Sequence, residues 1–314
     1  AHIRRPPRGC RRALHAALYA SCERGHVDAA RILLKTGADG DTPCYFNGFF
    51  PLHVASERGH IGIVRLLLEH RVDINFTTSR RAGPTALCRA CEEGHVDVVR
   101  LLLKNGAAVN QVDGYGWTPL CRAIRNDHVD VARVVVKKGA DVNAEIEKRA
   151  DTSADIHGRA PLLIACERLH GHREREKCVM KVVRLLLKNG ADVVQSNAAL
   201  VRACQLGSLD VARLLLNNGA DVEQALCTAC SYGHLDIVRL LLEKYRASVN
   251  YRLDVQSPWR LALAAGSHEI VDLLSRYRAK TSTQKKRGPA LFAKAAEKRA
   301  KRRRRESSSS SSSS

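Results

Sequence analysis

Cysteine and histidine are the residue types that first invite a chemical reading. Cys88-Arg89-Ala90-Cys91 and Cys227-Thr228-Ala229-Cys230 both have the C-x-x-C spacing with which two thiolates hold half of a tetrahedral zinc site. His26, His60, His95, His128, His170 and His234 recur along the chain and would offer nitrogen ligands or a proton-transfer base. Arg304-Arg305-Glu306-Ser307 has the R-R-x-S form that basophilic kinases read, which makes Ser307 a phosphorylation candidate. The phosphate loop G-x-x-x-x-G-K-[ST], the metal motif H-E-x-x-H and the nucleophile elbow G-x-S-x-G do not occur.

The elements that carry these residues reduce most of the list to architecture. Glu23-Arg24-Gly25-His26 returns as Glu57-Arg58-Gly59-His60 and then as Glu92-Glu93-Gly94-His95, with the histidines 34 and 35 residues apart. A period near 33 belongs to a solenoid of stacked supersecondary units. The same slot holds His128, His170, Ser208, His234 and Ser267, and an aliphatic triplet such as Leu66-Leu67-Leu68 or Leu101-Leu102-Leu103 follows most of them, which gives about eight units. In that register Cys22, Cys91, Cys166, Cys204 and Cys230 share one position, and Cys88, Cys121 and Cys227 share another that holds His53 elsewhere. The thiols read as compact core residues and the histidines as local hydrogen-bonding residues of a turn. No metal or cofactor is expected, and unpaired thiols suit a reducing compartment.

Each unit reads as two short helices. The first, as in Pro51 to Arg58, stops at a glycine able to take positive φ. The second opens with an acid (Asp28, Asp97, Asp130, Asp210, Asp236) and closes at another glycine (Gly37, Gly106, Gly139, Gly190, Gly219). An Arg three residues after each acid predicts a charged, solvated outer stripe.

Thr118-Pro119-Leu120, Pro51-Leu52-His53-Val54-Ala55, the Gly-His turns and the ending Gly139-Ala140-Asp141-Val142-Asn143 resemble ankyrin repeats over about residues 13–280. The resemblance implies an all-α repeat solenoid, helix pairs stacked with β-hairpin fingers projecting from one edge, that binds proteins on its concave inner-helix face and finger tips. The departures are a long loop at 144–159, a polar insertion at 171–179 read as a helical arm or loop, and no room for a full finger between Gly219 and Leu226. Neighbour contacts are expected to be poorest around the fifth and sixth units.

Of 314 residues, 52 are Lys or Arg against 32 Asp or Glu, a net charge of +20, and aromatics make up only 4%, so the core must be aliphatic. Five Arg and no acid stand in residues 1–12, and eleven basic residues against Glu297 and Glu306 in residues 281–314, so the basicity belongs mainly to the ends. The opening segment has no apolar signal core, the only Met is Met180, which leaves room for an upstream segment, and no apolar run reaches the roughly 18 residues of a membrane span. The tail after Lys280 is too polar to bury a core and is expected to be disordered. Its clusters Lys285-Lys286-Arg287 and Lys298, Arg299, Lys301, Arg302, Arg303, Arg304 and Arg305 have the layout of a bipartite nuclear-import signal.

A non-enzymatic, monomeric interaction scaffold is the reading these features favour, in the nucleus or cytoplasm, with an import receptor as a second partner. The alternative is a nucleic-acid-associated protein whose basic tail contacts phosphate. Candidate partner-binding residues are Glu57, Arg58, Glu92, Glu93, Arg125, Asn126, Glu167, Arg168, Leu206 and Tyr232 on the inner helices. On the fingers they are Tyr45, Phe46, Phe49, Tyr115 and Trp117, because exposed aromatics are preferred interface anchors.

Overall fold

The computed structural model describes residues 8–43, 48–77, 83–146, 160–169, 173–193, 197–251 and 257–278. Tyr45, Phe46, the slot residue His170, most of the 144–159 loop, and the tail with its basic clusters and Ser307 lie outside them. The chain forms two compact bodies divided between Ala220 and Asp221. The first holds six helix pairs: α1 (Arg8–Arg24) with α2 (Val27–Lys35), α3 (Pro51–Glu57) with α4 (Ile61–Glu69), α5 (Ala86–Glu93) with α6 (Val96–Lys104), α7 (Pro119–Arg125) with α8 (Val129–Lys137), α9 (Pro161–Glu167) with α10 (Arg173–Lys188), and α11 (Asn197–Gln205) with α12 (Leu209–Asn217). The second holds α13 (Val222–Ser231), α14 (Leu235–Glu243), α15 (Pro258–Ala264) and a final helix, α16, over 268–278. The first helix begins at Arg8, inside the basic N-terminal segment 1–12 that the sequence sets apart from the repeats. Among the described residues no helix is long and apolar enough to cross a membrane.

Local chemistry explains these boundaries. Pro51, Pro119, Pro161 and Pro258 sit in the first turn of their helices, where the missing N–H breaks no bond. Thr85 and Thr118 cap α5 and α7, each hydroxyl accepting the N–H three residues on, of Cys88 at 3.1 Å and Cys121 at 3.2 Å. Phe50 and Ala160 hold that slot without a side-chain cap. Odd helices pack on odd and even on even in the first body, so each repeat buries its apolar face on its neighbours. Ile63, Leu66, Leu67, Leu102, Leu120, Leu186 and Leu215 fill the interior, with Cys22, Cys88, Cys91, Cys121, Cys166 and Cys204 fully buried among them. In the outer stripe, Asp130 and Arg133 approach to 3.4 Å; among the described residues the other expected pairs are not within ion-pair distance, and these side chains point into solvent.

The histidine slot is not a local device. His60 Nε2 donates to the Glu23 carbonyl at 3.1 Å, His95 to that of Glu57 at 2.8 Å and His128 to that of Glu92 at 3.0 Å, partners 36 to 38 residues back. Each ring therefore ties its repeat to the one before. The turn glycine is part of the same joint: a Cβ on Gly59 would lie 2.6 Å from the His95 ring, and one on Gly94 2.5 Å from His128.

Among the described residues the fingers contain no strand and are joined by side chains instead. Asp41, Asn75, Asn110 and Asn143 each accept, through Oδ1, the backbone N–H of the next finger, of Asp73, Ala108, Asp141 and Asp192, at 2.8–2.9 Å. In the second body Glu223 does the same for Ser248 N–H. The 171–179 insertion becomes helix from Arg173 onward, which lengthens α10 to 16 residues where α4, α6 and α8 have nine. Aligning the leucine triplets places buried Val179, not His170, in the turn slot of this repeat.

Candidate partner-binding face

Side chains of the odd helices form a charge ladder that crosses the repeats. Arg58 approaches Glu23 at 3.8 Å on the exposed surface, a pair worth at most about 1 kcal/mol. Arg89 then lies 3.6 Å from Glu57 and 3.4 Å from Glu92, and the other oxygen of Glu92 accepts from Arg122 Nη1 at 2.9 Å. Arg122 ends the ladder on Asp113, which is fully buried and receives both Nε, at 2.9 Å, and Nη2. Burial alone would lower the Arg122 pKa, but the carboxylates of Asp113 and Glu92 outweigh it and leave it raised. Asp113 also organises its own finger: Oδ1 accepts the N–H groups of Tyr115 at 2.8 Å and Trp117 at 2.9 Å. Removing either partner would strand the other charge in the interior.

Beyond α7 the pattern changes. The joint between the fourth and fifth repeats has Asp127, at φ 62°, in the glycine position, and it pairs with Arg168 Nη2 at 2.9 Å and Arg175 Nε at 3.9 Å. At the following joint the Ser208 hydroxyl donates to Glu176 on the α10 extension. This stretch, where the sequence predicts the poorest contacts, thus has ionic and hydrogen-bonded staples of its own. Between α7, α9 and α11 lies an open hollow of about 590 Å³ with Trp117, Leu163 and Val201 on its walls and Arg125, Glu167 and Arg202 on its rim.

Among the described residues the thiols of both bodies are buried, Cys178 only in part. Burial pushes Cys22, Cys166, Cys204 and Cys230 up to about 12 and Cys88 and Cys121 up to about 11, so none offers a thiolate near neutral pH. Among the described residues no three of His, Cys, Asp and Glu come together as a metal site would need.

A family profile described as ankyrin repeats (3 copies) matches residues 8–78, 73–146 and 146–225, and one described as ankyrin repeat matches 223–253. The chain belongs to the ankyrin repeat family. A search of the curated proteins finds no match. Ankyrin repeats generally mediate protein–protein interaction and are typically non-enzymatic modules.

On this ankyrin frame the residues singled out by sequence separate into groups. Glu57, Arg58, Glu92, Arg125, Glu167 and Arg168 line the odd-helix face, with Glu93 exposed beside them. Asn126 is partly spent on its own helix, donating to the Arg122 carbonyl at 3.0 Å, and Leu206 is half-buried. Tyr232 is 57% exposed on the second body. Phe49 is half-buried beneath the Arg89 guanidinium at 5.1 Å. The aromatic pair splits: Tyr115 is 54% exposed, whereas Trp117 is only 4% exposed. Trp117 is therefore a packing residue and not a projecting anchor, because Asp113 draws the finger inward and sets the indole under Arg125, 4.8 Å from the ring, and Arg122, 5.6 Å away.

Sequence reasoning missed Asp113, Arg122, Arg89 and Asp127. The visible signal was in the repeat register: Arg89, Arg122 and Arg202 occupy one position of the odd helices that is Val54 in the second repeat and Ile164 in the fifth.

Proposed function

We propose that this chain is a non-enzymatic scaffold that recruits a protein partner on the odd-helix face of its first body, with the finger around Tyr115 as flanking contact. The observation that carries this reading is the hollow between α7, α9 and α11, because the ladder on α3, α5 and α7 has satisfied its own charges while the hollow stands open. The buried thiols and the family's usual role support the assignment as a non-enzyme. The basic tail serves as a nuclear-import signal in this reading, which places the scaffold between cytoplasm and nucleus; Ser307 phosphate beside Arg303 to Arg305 would oppose import by neutralising them.

Proximity labelling in cells with the full chain and with a Leu163→Glu/Val201→Glu variant tests the face. Partners lost from the variant, with its melting temperature retained, support the reading; an unchanged partner set overturns it. Nuclear fractions of fluorescent fusions with and without residues 281–314 test the import signal, and equal fractions reject it. Binding of nucleic acid by the tail would collapse steeply with salt, whereas recruitment on the hollow would not.

A further inference from the structure

The odd-helix arginine column is complete on one side of the hollow and incomplete on the other. Arg89 is met by Glu57 from the preceding repeat and Glu92 from its own, and Arg122 by Glu92 from the preceding repeat and Asp113 from its finger. Arg202 occupies the same position in the sixth repeat, but the residue that matches Glu92 there is neutral Gln205, whose Oε1 accepts from Arg202 Nη1 at 3.1 Å. The buried Nε of Arg202, like that of Arg89, has no hydrogen-bond partner among the described residues, but Arg89 Nε has a Glu57 oxygen 3.6 Å away and Arg202 has only the neutral Gln205. Arg125 lies across the same hollow over the Trp117 ring. Among the described residues Glu92 and Asp127, paired carboxylates of the face, are taken by Arg122 and Arg168 and not by these two guanidinium groups. A buried guanidinium N–H without an acceptor is unfavourable, and a carboxylate is the acceptor its planar fork fits best.

We propose that the hollow binds an acidic peptide segment of the partner, one that sets an Asp or Glu carboxylate on Arg202 and Arg125 and an adjacent aliphatic side chain against Leu163 and Val201. This deepens the scaffold reading and rests on it. A volume of about 590 Å³ suits a turn of peptide rather than a single ion. The apolar walls demand an aliphatic group beside the acid. Arg168, the third arginine of the lining, is already paired with Asp127, which leaves fewer cations than the row a nucleic-acid backbone needs.

The probe is a random dodecapeptide library displayed on phage and panned against the full chain, with excess free tail peptide 281–314 present to suppress capture of acids by the basic tail. The expected winners share an Asp or Glu next to Leu, Ile or Val. In fluorescence anisotropy with the synthetic winner, Arg202→Gln and Arg125→Gln should each weaken binding about tenfold or more, as should the peptide's own Asp→Asn or Glu→Gln change. Arg202→Lys should recover part of the loss, Arg24→Gln should change nothing, and melting temperatures should match throughout. Winners that lack an acid yet are lost with Leu163→Glu would overturn this inference and leave the scaffold reading standing. Acidic winners indifferent to Arg202→Gln and Arg125→Gln, or displaced by a single-stranded oligonucleotide, would also overturn it. A library that yields no winner on this face would sink both.

Discussion

Replacing Gly59 with Ala tests whether the Gly-His phrase is a joint between repeats. Gly59 stands at φ +74°, and a Cβ there would meet the His95 ring at 2.6 Å. Gly106 supplies the control, since it stands at φ +90° with nothing within 4 Å of its virtual Cβ. An alanine at Gly106 bears only the left-handed backbone, a net cost of about 1 kcal/mol once the stiffer unfolded chain is counted. At Gly59 the ring must also move and break its 2.8 Å bond to the Glu57 carbonyl, leaving that acceptor and the N–H unpaired. Loss of that bond and the repacking add about 2 kcal/mol, so Gly59→Ala should cost about 3 kcal/mol in all. His95→Ala removes the obstacle, so in that background Gly59→Ala should fall back to about 1 kcal/mol, a coupling of about 2 kcal/mol. Urea unfolding followed by circular dichroism on the four members of the cycle measures it. Equal costs for Gly59→Ala and Gly106→Ala, or a coupling within about 0.5 kcal/mol of zero, would refute the joint.

His53 offers a pH test. Burial, joined by the Arg89 charge and opposed by the bond to the Phe76 carbonyl, lowers its pKa to about 4. The neutral ring thus contributes stability in full above the unfolded value near 6.5, and this is lost as pH falls from there toward 4, about 3 kcal/mol over the window; urea titrations at several pH values should show the slope vanish in His53→Gln. Trp117→Ala should destabilise by about 3–5 kcal/mol, while Tyr115→Ala should leave the melting curve within about 0.5 kcal/mol of wild type; a sharp drop for Tyr115→Ala would contradict its exposure. Arg71 holds a left-handed φ of 57° where other repeats have glycine, so Arg71→Gly should raise stability by about 0.5–1 kcal/mol in the same assay. Alkylation at pH 8 with peptide mapping should label half-buried Cys178 before the eight buried cysteines, and early loss of Cys91 would show that its core site opens.

Periodicity along the chain was enough to read the repeats, their helix pairs and the packing role of Cys22, Cys91 and Cys166, because each of these follows from local propensity and from which face of a short helix is apolar. The α10 extension was legible as a polar insertion with helical composition. Charge on the odd-helix face was legible too, as the residues before each turn. Its pairing was not.

What the sequence by itself determined is what repeats regularly: the number of units, the helix pairs of the regular repeats and which of their residues point inward, though not the start of α1 or the turn slot of the fifth repeat. Tertiary structure alone decided what happens between units. Glycine and histidine are adjacent in each Gly-His phrase, yet the glycine of one repeat receives the histidine of the next, 36 residues on from Gly59 to His95. Asp113 and Arg122 are nine residues apart, but a finger turn had to fold before the carboxylate could reach both the guanidinium and the backbone of Trp117. Arg89, Arg122 and Arg202 share one register position and look equivalent in the chain. Only stacking brings Glu57 and Glu92 against the first two and leaves the third at an open hollow, because an ion pair depends on distance in space and not on spacing in sequence.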